Sequence, residues 1–176
     1  SEMSGGVKNI MVTNCMFLGT DVGLRFKSRR GRGGVVENIY VYNVSMMDIP
    51  TEPLLFDLYY GGKSAVEVLE EGETPKETIV PPVDETTPAF RNIYVKKLRC
   101  SQARRAMYFN GLPEQNIDRI VIEDVVITSD LGAELAESEN IELKNVTVHA
   151  AKGPALILNN CRKVNVEDFT GTVVSA

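Results

Sequence analysis

The residues best equipped for chemistry are Gly23-Leu24-Arg25-Phe26-Lys27-Ser28, followed at once by Arg29, Arg30 and Arg32. The five cations fall within eight residues, with no acid among them. In an extended segment alternate side chains share a face, so Arg25 and Lys27 project together while Leu24 and Phe26 project the other way. Two cations side by side on an exposed sheet repel one another unless an anion lies between them. The planar fork of Arg suits a carboxylate, and Lys adds a mobile point charge. A sugar carboxylate fits this pair. A solvated basic strand neutralised by acids on adjacent strands fits the residue types equally well. Arg29, Arg30 and Arg32 read either as an extension of the positive surface or as a solvated turn.

The overall charge conceals this feature. The chain has 176 residues, with 19 Lys and Arg against 24 Asp and Glu, for a net charge of −5. The whole of that excess sits in residues 61–89, which hold seven acids and two bases. The remainder is electrically neutral, which argues against broad nucleic-acid binding. No apolar run approaches the roughly 18 residues of a membrane span. No signal peptide is present, and the opening Ser1-Glu2-Met3-Ser4-Gly5-Gly6 reads as a cut through a longer protein. Cys15, Cys100 and Cys161 form no CxxC or Cys/His cluster, so they read as small hydrophobes rather than disulfides or metal ligands. No cofactor or metal is expected.

The elements that must carry the basic strand form a repeat. Segments 7–17, 36–46, 90–100, 117–127, 138–148 and 161–171 share a template, polar-Ile-x-Val-x-(Asn/Asp/Lys)-apolar. Its first apolar column is Ile10, Ile39, Ile93, Ile120, Ile141 and Val164; its second is Val12, Val41, Val95, Ile122, Leu143 and Val166. The alternation has period two, the mark of strands with one buried face. A second short apolar strand follows each unit, at 23–28, 53–60, 106–111, 132–138 and 154–160. No segment is long enough for a crossover helix. Strand pairs recurring at intervals of 21–29 residues suit a solenoid. Leucines do not return at leucine-rich-repeat offsets, and a β-sandwich would not need one column to return six times. The fold expected is therefore all-β, a right-handed parallel β-helix of about six turns with one inserted loop, and residues 1–176 form a single domain.

Asn14, Asn43 and Asn145, with Asp124 and Asp168, recur at one position of the template. Asn tolerates left-handed backbone angles, and its amide can bond the same group one turn away. Two of these residues open sequons, Asn43-Val44-Ser45 and Asn145-Val146-Thr147, but the repeat favours structural turns. The step from Ile39 to Ile93 spans 54 residues, about two ordinary steps, so it holds either a hidden turn or an insertion. Residues 61–89 lack the template and are read as an acidic inserted loop, with 64–71 as a short helix. Loops of this length are usually functional or disordered.

The strand Gly23–Ser28 following the template unit 7–17 resembles the Arg-x-Lys motif of the polygalacturonases, glycoside hydrolase family 28. That family folds as a right-handed parallel β-helix and hydrolyses α-1,4 bonds between galacturonate units, inverting the anomeric centre. The resemblance implies that Arg25 and Lys27 bind a substrate carboxylate beside the scissile bond. Phe26 replaces the usual Ile and faces the core. The strand 53–60 resembles the family strand ending in an active-site Tyr, which places that role at Tyr59, with Tyr60 next to be tested. The family's Asn-Thr-Asp, Asp-Asp and Gly-His-Gly motifs, which lie upstream of the Arg-x-Lys strand, do not occur in this sequence. Thr20-Asp21-Val22-Gly23 only superficially matches the first and stands in the wrong place. The only histidine, His149, falls in a repeat strand near the C-terminus and reads as a surface residue.

The expectation is the C-terminal part of a longer, pectin-degrading hydrolase, supplying the carboxylate clamp for polygalacturonate or a related uronate polymer, with no catalytic residue in this chain and no activity alone. Its relatives imply a secreted or periplasmic location. The open first turn of such a solenoid implies self-association through that end. The alternative is a non-catalytic polysaccharide-binding or structural β-helix module. A Ca²⁺-dependent lyase ranks lower, because only Asp21 lies close to Arg25 in sequence. The inserted loop, directly after the Tyr59 strand, is expected to border the cleft and favour exo over endo attack.

Overall fold

The structure, a computed structural model, describes residues 5–64, 67–68, 71–72 and 80–175. Its nine strands are β1 (Val7–Leu18), β2 (Leu24–Lys27), β3 (Val35–Ile49), β4 (Leu54–Asp57), β5 (Ala89–Asn110), β6 (Ile117–Ala136), β7 (Ser138–Asn159), β8 (Arg162–Thr170) and β9 (Val173–Ser175). All the pairing between strands is parallel. One path runs β1-β3-β5-β6-β7-β8, and a second runs β2-β4-β5, with β9 on β7. The long strands β5, β6 and β7 belong to both ladders, so each is one whole coil. This is the right-handed parallel β-helix expected from the repeat.

Register follows the apolar columns. Ile10 pairs with Ile39, Ile39 with Ile93, Ile93 with Ile120, Ile120 with Ile141, and Ile141 with Val164. The Val12 column stacks in the same way. A one-residue slip would turn every one of these side chains outward, so burial itself fixes the alignment. Because β3 pairs directly with β5, the 54-residue step contains no hidden turn. The extra residues leave the ladder after β4 and return at β5. Residues 67 and 68 are helical there, and Ser64 and Glu67 form a reciprocal capping box: the Ser64 N–H donates to Glu67 Oε2 (2.7 Å), and the Glu67 N–H donates to Ser64 Oγ (3.2 Å). The rest of the expected 64–71 helix falls partly outside the described residues.

Burial grows as a coil gains neighbours on both sides. Ile93 and Ile120 are fully buried, whereas Ile10 in the first coil is 42% exposed. Cys100 is buried, and Cys15 and Cys161 pack partly buried against the core, all three as free thiols.

The coil turns its corners through left-handed residues. Asn14, Asn43, Lys97, Asp124, Asn145 and Asp168 all have φ between 51 and 56°. The Asn43 amide donates to Asn14 Oδ1 (2.7 Å), and that of Asn145 to Asp124 Oδ1 (2.9 Å). The two sequon asparagines thus already use their amide nitrogens in the ladder. A second left-handed column, Asn9, Asn38, Asn92, Arg119, Asn140 and Lys163, stands immediately before the Ile column. Here Asn38 donates to Asn9, Asn92 to Asn38, and Arg119 to Asn92. The repeat contained this column as its "polar-Ile" opening, but the residue types vary too much to mark it as a corner.

If these corners are structural, replacing Asn92 by Val forces a β-branched side chain into φ 53°. Asn92→Val should lose about 1–3 kcal/mol of stability, and Asn92→Gly distinctly less, since Gly meets no such strain. Urea denaturation of the two variants checks this. Equal losses would mean that only the amide bonds matter.

Candidate functional site

Strand β2 is seated by its neighbours on one edge and by its core face. The N–H groups of Gly23 and Leu24 donate to the carbonyls of Glu52 (2.9 Å) and Pro53 (2.8 Å). A side chain at Gly23 would lie 2.4 Å from the Pro53 carbonyl oxygen and 2.6 Å from Met46 Sδ, so only glycine lets β2 close against the next coil. Phe26 points inward and stacks on Phe56 (4.5 Å between centroids, 11° between planes), and Phe56 in turn packs on Phe109 (4.4 Å). This aromatic column anchors the strand from below. Arg25 and Lys27 are left on the outer face.

Both cations converge on Tyr60. Lys27 Nζ lies 4.1 Å from the centre of the Tyr60 ring, Arg25 Cζ 5.3 Å and Arg32 Cζ 5.7 Å. The negative face of the ring offsets some of the repulsion among the three charges. Lys27 also hydrogen-bonds the phenol. That bond, then the Lys27 charge and the Arg25 charge, hold the Tyr60 hydroxyl below the usual phenol range.

Tyr59 goes elsewhere. Its N–H donates to Asp57 Oδ1 (2.9 Å), a local turn that ends the strand alternation just after Leu58. The Tyr59 ring then packs partly buried against the core and lies 5.2 Å from Arg30 Cζ. Burial pushes its hydroxyl up. Arg25 and Lys27 therefore share one site, and the tyrosine that joins them is Tyr60 rather than Tyr59. Two adjacent tyrosines at a strand end are equivalent in a sequence. What separates them is the Asp57–Tyr59 turn, and the Asp57-Leu58-Tyr59 spacing was the available signal.

The register partner of Lys27 on the next coil is Asp57. Burial pushes its carboxyl up, against donors from the Tyr59 N–H and Asn110. The Asn110 amide donates to Asp57 Oδ1 (3.3 Å) and also to Glu67 Oε2 (3.4 Å). Burial, then the charges of Glu67 and Glu134, push the Tyr108 hydroxyl up, with Ser64 acting the other way. Tyr108 and Asn110 face outward by strand alternation, yet they are 8% and 1% exposed. The outer surface of the second ladder is thus open at Arg25, Lys27 and Tyr60 and closed at Tyr108 and Asn110.

The basic turn after β2 is divided in function. Arg30 makes a two-pronged pair with Glu114: its Nη2 donates to Oε2 (2.7 Å) and its Nε donates to Oε1. Arg29 bridges Tyr59 through the backbone. Elsewhere several outer cations are paired with acids on neighbouring strands, as in Arg91–Glu37 (2.8 Å) and Lys96–Glu123 (2.7 Å). Among the described residues no group of three or more His, Cys, Asp and Glu is placed to hold a metal ion, and no helix is long and apolar enough to cross a membrane.

Two cations on one strand, a third on the following turn and a phenol able to donate are the chemical groups that suit an anion. Comparison with known proteins gives this site a context. The family model for glycosyl hydrolases family 28 matches residues 1–137. The chain is 48% identical over 64 residues to a polygalacturonase of Ralstonia nicotianae (strain ATCC BAA-1114 / GMI1000), covering 34% of this chain and 12% of the relative. It is 30% identical over 144 residues to a polygalacturonase of Ralstonia solanacearum (76% and 23%), and 27% identical over 143 residues to an endo-polygalacturonase of Pectobacterium carotovorum subsp. carotovorum (81% and 28%). The chain therefore spans well under a third of the length of these curated relatives. No solved structure matches it.

The charge cluster makes a titration prediction. Of the six tyrosines, Tyr60 should ionise first, because three cations stabilise its phenolate. Absorbance at the tyrosinate band against pH should show an early one-residue step that Tyr60→Phe removes. Lys27→Met should move it upward. An unmoved step in Lys27→Met would place the cations too far away to matter.

Proposed function

The chain belongs to glycosyl hydrolases family 28, and from that membership together with its cationic strand we propose that it binds the carboxylate of a galacturonate unit in a pectin-type polymer during hydrolysis of an α-1,4 bond. Arg25 presents its fork to the carboxylate, Lys27 supplies the second charge, and Tyr60 donates its hydroxyl while holding the cations together. The single observation that carries this reading is the convergence of Arg25, Lys27 and Arg32 on one aromatic ring. The polymer's own negative charge complements the positive charges of Arg25 and Lys27.

In an inverting hydrolase one carboxylic acid protonates the leaving oxygen while a second carboxylate activates water from the opposite face, with the pair about 6.5–9.5 Å apart. The carboxylate nearest the clamp in register, Asp57, is engaged by the Tyr59 N–H and Asn110. We therefore assign this chain the clamp rather than the acid–base pair. The residues that close the floor beyond the clamp, Ser64 and Glu67 against Tyr108 and Asn110, support a further element of the reading: the polymer's path along the outer face ends near Tyr108. This favours attack at chain ends. The second reading, a binding module without catalysis, uses the same clamp and differs only in whether bound polymer is cleaved.

Calorimetric titration with trigalacturonate is the test. Binding should weaken with rising salt, and Arg25→Ala or Lys27→Ala should reduce affinity about 10- to 100-fold, the loss of one charge-assisted pair. Trigalacturonate and hexagalacturonate should bind with similar affinity if the path ends at Tyr108. Equal binding of a neutral oligosaccharide, or full affinity in both variants, would defeat the clamp. Cleavage of polygalacturonate by the chain itself would overturn the assignment of the acid–base pair elsewhere.

A further inference from the structure

The clamp stands on a flexible footing unless something fixes Tyr60. Its ring is reached by Lys27 and Arg25 from β2 and by Arg32 from a turn rich in glycine, Ser28-Arg29-Arg30-Gly31-Arg32-Gly33-Gly34. That turn has three left-handed glycines, Gly31, Gly33 and Gly34. Such a segment has much conformational freedom to lose on ordering. Its backbone meets the Tyr59–Tyr60 segment at two points: the Arg29–Tyr59 bridge, and the Tyr60 N–H donating to the Ser28 carbonyl (3.1 Å).

The side chain that ties both segments to the body of the solenoid is Arg30. It lies against the Tyr59 ring and grips Glu114 with two donors. Glu114 sits in the 111–116 connection between β5 and β6, 84 residues away in sequence. Its side chain is only 4% exposed, while that of Arg30 is 33% exposed. Burial raises the Glu114 carboxyl, but the Arg30 hydrogen bond, a backbone donor and the Arg30 charge outweigh it and leave the group below its ordinary range. Glu114 is thus a carboxylate wherever the pair is intact. A fork-to-carboxylate pair fixes orientation as well as distance. Because Tyr59 and Tyr60 are consecutive, holding the Tyr59 ring on Arg30 also holds the direction of Tyr60.

We propose that Arg30, Tyr59 and Glu114 form a positioning set that holds Tyr60 and Arg32 in the carboxylate clamp. The basic run is then two devices. Arg25, Lys27 and Arg32 face the ligand, while Arg30 is withdrawn from it to brace them. Glu114 acts from the following connection without touching the polymer. As a clamp-positioning set, this inference rests on the carboxylate-binding reading of Arg25 and Lys27. Its structural content, the orientation of Tyr60, does not require a ligand.

The experiment follows the Tyr60 ionisation step in the full chain, with Tyr60→Phe as the assignment control, in Glu114→Gln and Arg30→Lys. Gln keeps the shape of Glu114 and loses its charge, whereas Lys keeps the charge of Arg30 and loses its fork. Both variants should move the step upward and weaken trigalacturonate binding about 3- to 10-fold. Arg30→Lys should show the smaller effect. A purely structural pair would lower the unfolding midpoint and leave the Tyr60 step where it was, and that result in a folded variant overturns the inference. If Glu114→Gln does not fold, Arg30→Lys decides by the same readout. Absence of trigalacturonate binding in the unmodified chain would defeat the clamp reading, while the Tyr60 step would still report whether Arg30 and Glu114 position the ring.

Discussion

Everything in this molecule depends on parallel coils stacking in register at about 4.8 Å. That spacing turns residues roughly thirty positions apart into neighbours. Arg25 stands beside Leu55, Lys27 beside Asp57 and Phe26 on Phe56. The spacing also makes any column of like charges costly, since each charge would face its copy one coil away. The outer surface meets this constraint with alternation, as in Lys96 against Glu123, and with the Asn ladders at the corners. The cationic strand is where the pattern is broken, and the break sits on the Phe26–Phe56–Phe109 aromatic column.

Asp57 shows how such a break is kept open. A carboxylate in register with Lys27 could neutralise it as an ordinary cross-strand pair. Here Asp57 is instead taken by the Tyr59 N–H and the Asn110 amide, and burial pushes its carboxyl up. Lys27 turns to the Tyr60 ring and hydroxyl instead. An aromatic ring offsets the charge more weakly than a carboxylate would. Under the proposed function, a ligand carboxylate would take Lys27 without first breaking an ion pair among the described residues.

The fold was legible in the sequence almost coil by coil. The Ile and Val columns and the short second strands name residues that the ladder places in register, and the Asn corners name residues that bond from coil to coil. The reason is physical: in a stacked coil the same local environment returns at each turn, so the same residue type returns with it. The second left-handed column escaped notice because its occupants range from Asn to Arg and Lys. At the site, Arg25 and Lys27 were legible because strand alternation fixes their common face. Tyr59 and Tyr60 were separable only through the Asp57-Leu58-Tyr59 spacing, because the turn that assigns them depends on one hydrogen bond from a backbone N–H to Asp57.

The pairing of Arg30 with Glu114 marks the general boundary of such reading. A repeat encodes contacts between equivalent positions of adjacent coils, and those contacts can be read by setting the units side by side. Residues 28–34 and 111–116 are connections of different length that have no equivalent positions. Their contact depends on how far each connection reaches across the ends of the strands. The partners of a basic turn in a solenoid are therefore settled by the connections around it, and a run of five cations with one apparent role can divide between holding a ligand and holding the site. Composition cannot make that division, because it turns on neighbours that composition does not hold: Arg30 meets a buried carboxylate and the Tyr59 ring, and the contacts of Arg32 include the ring of Tyr60.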